Sequence, residues 1–186
     1  MEEKIFQYPN INETAFSINL LGLHLNVQWY GLSYITGIFL AWFFMAKLVQ
    51  NKDLWFSSKS IIERSEVDDL ITYMILGIIV GGRLGYCLFY APGYYFDNPI
   101  KTIFIWEGGM SFHGGFLGVL IAGILFGMRK KISLLSLGDL IAFASPPGLF
   151  FGRIANFING ELWGKPTNSI FGIQFTKGQG KFCPSS

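Results

Sequence analysis

Four stretches of the chain run apolar for long enough to cross a bilayer, and polar residues gather in the short connections between them. Trp29–Leu48 carries no charge before Lys47, and its length matches the roughly 20 residues that a spanning helix needs. Leu70–Tyr90 is interrupted only by Arg83, and Met110–Met128 carries His113 near its start. A fourth run, Leu134–Phe157, contains Asp139, the breaker Ser145-Pro146-Pro147-Gly148 and Arg153, which predicts a kinked or broken helix. Ahead of the first span, Ile11–Val27 is amphipathic and is expected to lie on the outer membrane surface. The pattern predicts an all-α, polytopic membrane protein with about four spanning helices.

Lysine and arginine in the connections set the expected orientation. Lys47, Lys52, Lys59 and Arg64 separate spans one and two, and Arg129, Lys130 and Lys131 separate spans three and four; the N-terminal segment offers only Lys4, and the connection between spans two and three only Lys101. Seven against two places the basic connections in the cytoplasm. The N-terminus, the segment Asp97–Glu107 and the residues after Asn159 are then on the outer side. Glu2, Glu3 and Glu13 precede the first apolar run, which argues against a cleavable signal.

Composition agrees: 51% hydrophobic, 17% aromatic and 14% charged residues fall far from the roughly 25% charged content of a soluble domain. A net charge of +2 gives no reason to expect a nucleic-acid partner. Cys87 and Cys183 have no partners at metal-binding or disulfide-framework spacing. The glycines fall at four-residue spacing as Gly81 with Gly85, Gly114 with Gly118 and Gly123 with Gly127, a small-residue pattern that lets helices approach closely in lipid. Residues 1–175 read as a single transmembrane domain, and 176–186 as a divergent polar tail.

Ionisable groups at membrane depth cost a few kcal/mol each, which makes them functional candidates. His113, between Phe112 and Gly114-Gly115, either exchanges a proton or serves as a structural hydrogen-bonding group. Arg153 opens the densest polar cluster, Gly152–Gly164. On a helix Arg153, Asn156 and Gly160 share one face. A guanidinium grips a phosphodiester through two parallel hydrogen bonds and suits a phospholipid headgroup; the competing reading is a buried pair with Glu161 that fixes packing. Arg83 lies too deep to snorkel and needs either a structural partner or a substrate. Tyr30, beside Trp29, stands where aromatic residues ordinarily anchor a span at the interface. There is no GxSxG elbow, Walker loop, HExxH or acidic metal cluster.

The run GRIANFINGELWG, Gly152–Gly164, resembles the signature of the prolipoprotein diacylglyceryl transferases. Trp29-Tyr30-Gly31-Leu32, GGRLGYCLFY from Gly81 and WEGGMSFHGG from Trp106 are similar to further blocks of that family, in the same order. The resemblance implies transfer of a diacylglyceryl group from phosphatidylglycerol to the lipobox cysteine thiol of a preprolipoprotein, in the bacterial inner membrane and with no metal or organic cofactor. By position it implies that Tyr30, His113 and Arg153 act in catalysis, and that Arg153, Asn156, Glu161 and Gly164 bind phosphatidylglycerol. It further implies that Arg153, oriented by Glu161, holds the phosphate, and that His113 either takes the thiol proton or binds lipid. Family members continue with a His-Pro-x-Gln-Leu-Tyr-Glu stretch and a later arginine-bearing helix. Here Phe175 is followed by TKGQGKFCPSS, so the expectation is a truncated chain with impaired activity. The competing expectations are a transporter or channel component and an inactive remnant.

Overall fold

The computed structural model describes residues 6–9, 11–20, 23–55, 60–162, 164–165 and 171–175. The expected tail 176–186, with Cys183, lies outside the described residues, as does Trp163. Four helices or helix pairs are long and apolar enough to span a membrane: α1 (Trp29–Gln50), α2 (Arg64–Phe89), α4 (Phe112–Lys130) and the run Leu134–Asn159. A short α3 (Pro92–Asp97) follows α2, and the last run is divided into α5 (Leu134–Ala144) and α6 (Pro146–Asn159). The expected break falls at Ser145, where Pro146 supplies no N–H and the Ser145 hydroxyl bonds the Ile141 carbonyl at 2.7 Å. Large side chains such as Ile35, Phe39, Leu76, Leu84, Leu120 and Leu125 are exposed. In water this would be costly, and in lipid it is the expected surface.

Two compact units organise the chain: Ala41–Ser145, and Met1–Leu40 with Pro146–Ser186. In the first, α2 and α4 form the central pair, and glycines bring them together. A Cβ on Gly118 would stand 1.9 Å from Gly77 O, and one on Gly81 would stand 2.4 Å from Gly114 O. The pairs Gly81/Gly85 and Gly114/Gly118 therefore face each other, joined by Gly77. The third pair, Gly123/Gly127, faces instead the side chains of Ile141, Leu134 and Leu137 on α5. Phe126, Leu70, Leu137 and Val67 are the fully buried centre of this unit.

The helix ends are specified locally. A capping box opens α2, with Glu66 accepting from the Glu63 backbone N–H at 2.9 Å. Ser111 caps α4 by accepting from Gly114 N at 3.1 Å. The other end of α4 closes with Lys131 in the left-handed region (φ 55°) and Ile132 N donating to Gly127 O at 2.9 Å, a Schellman turn. Salt bridges from Lys130 to Glu66 (2.9 Å) and Asp69 (3.5 Å) tie the C-terminus of α4 to the first turns of α2.

In the other unit, the amphipathic stretch before the first span is an antiparallel hairpin of β2 (Thr14–Leu20) and β3 (Leu23–Gln28), with Ser17 opposite Asn26 and a bulge near Thr14. Phe16 and Ile18 alternate with Ser17 and Asn19, a period of two that selects a strand. Strand β1 (Phe6–Gln7) pairs in parallel with β4 (Ile173–Gln174). Gly37 of α1 and Gly148 of α6 make the close contact here: a Cβ on Gly37 would stand 2.8 Å from Gly148 Cα.

Candidate functional site

The polar cluster of the signature run is assembled by the end of α6. Gly160 adopts φ 67°, Gly160 N donates to Phe157 O at 3.0 Å, and Glu161 N donates to Asn156 O at 2.8 Å. These two bonds make a Schellman turn with glycine at the left-handed position. Gly160 thus ends the helical face rather than extending it. The turn folds Glu161 back beside Asn156, which its place five residues later on a continuing helix would not do. Leu162 also sits at positive φ (51°), so the backbone through this loop is strongly constrained.

Tyr30, in the first turn of α1, joins this turn. Its hydroxyl donates to Glu161 Oε2 at 2.6 Å and to Asn156 Oδ1. Two acceptors share one phenolic proton. Tyr30 is therefore part of the cluster and not only an interfacial anchor. Trp29 carries the anchoring instead: its indole donates to Asn12 O at 3.1 Å and its backbone N–H to Glu13 O at 3.2 Å.

Arg153 lies one turn before Asn156 on α6, with an exposed side chain, within electrostatic reach of Tyr30. Among the described residues no carboxylate pairs with its guanidinium. Glu161, expected to neutralise or orient Arg153, is bonded by Tyr30 instead. Gly164 is exposed, with open space where a Cβ would be. Tyr8 was not anticipated from the sequence. It is 4% exposed, its hydroxyl donates to Ile158 O at the end of α6, and its ring packs edge-on to Phe157 and stacks on Phe175. A tyrosine in a polar N-terminal segment gives no signal of that role, whereas glycine after Asn159 is the usual helix-stop signal.

Replacing Tyr30 by phenylalanine removes the bond to a carboxylate, worth about 1.5–3 kcal/mol. The expected result is a lower melting temperature, checked by thermal unfolding of the variant in proteoliposomes.

His113 belongs to the other unit, at the second position of α4, with an exposed side chain edge-on to Phe112 at 5.8 Å between ring centroids. The connection leading to it is clamped by Arg83. This side chain is 3% exposed, and it donates through Nε to Thr102 O at 2.9 Å, through one terminal nitrogen to Lys101 O at 2.8 Å, and through the other to Gly109 O at 3.2 Å and Gly108 O. Its face lies 5.2 Å from the centre of the Tyr95 ring. Four of the five N–H groups of a guanidinium are thereby occupied, which selects the structural reading of Arg83 over substrate contact. Lys101 donates to Glu107 at 2.6 Å across the same connection, and that bond raises the lysine pKa above its ordinary value.

Among the described residues, no three histidine, cysteine, aspartate or glutamate side chains are grouped closely enough to hold a metal ion. The cluster at the end of α6 brings together a phenol, a carboxylate and an amide, with the Arg153 guanidinium one turn away.

Four apolar spans with polar groups gathered at their helix ends define a multi-pass membrane protein. A family model described as prolipoprotein diacylglyceryl transferase matches residues 16–185. The chain belongs to that family. It is 53% identical over 168 residues to a phosphatidylglycerol--prolipoprotein diacylglyceryl transferase of Rickettsia felis, covering 90% of this chain and 61% of that one. Proteins of the same name from Cereibacter sphaeroides and Roseobacter denitrificans are 46% and 44% identical, each alignment covering 95% of this chain and 60% of the relative. The chain thus spans about 60% of the length of these relatives.

Proposed function

We propose that this chain carries part of the active site of a transferase that moves the sn-1,2-diacylglyceryl group of phosphatidylglycerol to the lipobox cysteine thiol of a preprolipoprotein. The observation that carries the reading is the exposed Arg153 guanidinium, one helical turn from the Tyr30–Asn156–Glu161 cluster, in a chain of this family. Since the Glu161 carboxylate accepts from Tyr30, Arg153 is available for the two-pronged grip that a phosphodiester accepts.

In this reading the cysteine sulfur forms a thioether bond to the glyceryl carbon as the carbon–oxygen bond to the phosphate breaks. The bonding electrons leave on glycerol phosphate, and Arg153 stabilises the charge that accumulates there. The thiol must lose its proton, because a free cysteine with a pKa near 8.5 is mostly protonated at neutral pH; His113 or the departing phosphate receives it. The excess of lysine and arginine between spans one and two and between spans three and four supports a cytoplasmic location for those connections. The signature turn then meets the outer leaflet of the inner membrane, where a translocated lipobox arrives.

The test is transfer of labelled diacylglycerol from phosphatidylglycerol to a lipobox peptide, in membranes holding the 186-residue chain or the same chain extended to the length of its relatives. Transfer by either supports the reading, and the difference between them measures what the added residues contribute. Failure of both overturns it.

A further inference from the structure

We propose that Arg83 is a positioning residue for His113, acting through the backbone of the connection that its guanidinium holds. The inference rests on the reading of His113 as a group that meets substrate.

A buried arginine ordinarily requires an opposite charge, yet no salt bridge joins Arg83 to a described carboxylate. Its charge is met by four carbonyls and one ring, and those carbonyls come from two points of one connection. Lys101 and Thr102 lie on its way out, and Gly108 and Gly109 on its way back. The return leg is shaped to fit. Gly108 and Gly109 both have φ 83°, and a Cβ on Gly109 would stand 2.4 Å from the Tyr86 ring. Just past Gly109, Ser111 N donates to Gly82 O at 2.9 Å, one residue before Arg83 on α2. Ser111 then caps Gly114, and Gly114 is pressed against Gly81. Phe112 and His113 occupy the turn between these fixed points. Among the described residues the His113 side chain makes no hydrogen bond, so its placement is inherited from the backbone on either side. The connection also carries exposed Ile103, Ile105 and Trp106, and the Lys101–Glu107 pair closes it at 2.6 Å.

Arg83→Lys keeps the charge but replaces a five-donor fork by a point donor that cannot span both legs. The experiment uses the 186-residue chain in proteoliposomes and measures the rate at which diethyl pyrocarbonate modifies His113, resolved from His24 by peptide mass mapping. It also measures transfer kinetics. The expected result is at least a threefold change in His113 reactivity, with kcat reduced about tenfold and KM within twofold, in a variant that retains a cooperative melting transition. A folded Arg83→Lys protein with unchanged His113 reactivity overturns the inference, whatever its melting temperature. If the unsubstituted 186-residue chain transfers nothing, the kinetics are read in the chain extended to the length of its relatives; failure of both overturns the enzymatic reading, and the reactivity ratio still decides the positioning. If Arg83→Lys does not fold, Tyr95→Leu, which removes the ring beside the guanidinium, decides it by the same rate: a change in His113 reactivity supports it, and an unchanged rate overturns it.

Discussion

Gly118→Leu is expected to leave no folded protein in the membrane. A Cβ at this position would stand 1.9 Å from Gly77 O, 2.7 Å from Gly77 C and 3.1 Å from Gly81 Cα. All three are backbone atoms of the facing helix, so no side-chain rotation relieves the clash and the two helices must separate. Separation removes the van der Waals contact that holds a helix pair in lipid, where the hydrophobic effect offers no compensation. Ordinary overpacking costs about 1–3 kcal/mol, and a backbone clash across the central pair of the unit exceeds that range. Gly138→Leu is the matched control, because a Cβ there meets nothing within 4 Å, and the better helix propensity of leucine makes the change neutral to slightly stabilising. Membrane yield and thermal unfolding of the two variants check the contrast. Equal stability would mean that the glycine face does not set the helix spacing.

That face was partly visible in the sequence. Spacing of four residues identified Gly81/Gly85 and Gly114/Gly118 as packing surfaces but also Gly123/Gly127, which faces side chains of α5 rather than another backbone. Spacing gives a helix face without naming its neighbour. Hydropathy found all four spans and the break at Ser145, yet it began the second at Leu70, six residues inside α2. The missed turns carry Arg64, Glu66, Asp68 and Asp69, polar residues that belong to the helix but not to its apolar run.

The site residues were legible as types and not as partners. Motif similarity singled out Tyr30, Asn156 and Glu161, while the bond network joining them depends on a turn that Gly160 makes possible. The sequence pattern paired Glu161 with Arg153, whereas the turn at Gly160 brings Glu161 beside Asn156 and Tyr30. The hairpin was missed for a related reason. Amphipathic character over residues 11–27 does not by itself separate a helix from a strand, and Phe16 and Ile18 alternating with Ser17 and Asn19 favour the period of two.

Arg153→Ala is expected to reduce diacylglyceryl transfer by about 10²–10³-fold, the loss typical when one donor to a developing anion is removed. The Arg153 side chain ties no described element to another in the folded protein. It is exposed, and among the described residues it bonds to no carboxylate or carbonyl, so its removal leaves no buried partner unsatisfied. Thermal stability should therefore stay within about 0.5 kcal/mol, as for other exposed substitutions. Tyr30→Phe should lower stability and activity together, because Tyr30 joins two parts of the cluster. Arg153→Lys separates charge from geometry. An ammonium supplies attraction to the phosphate but not two parallel hydrogen bonds, so its transfer rate should fall between those of arginine and alanine. Kinetics of the three variants beside their melting curves check this ordering. A large loss of stability in Arg153→Ala would identify Arg153 as a packing residue, and full activity in Arg153→Ala would remove it from the site.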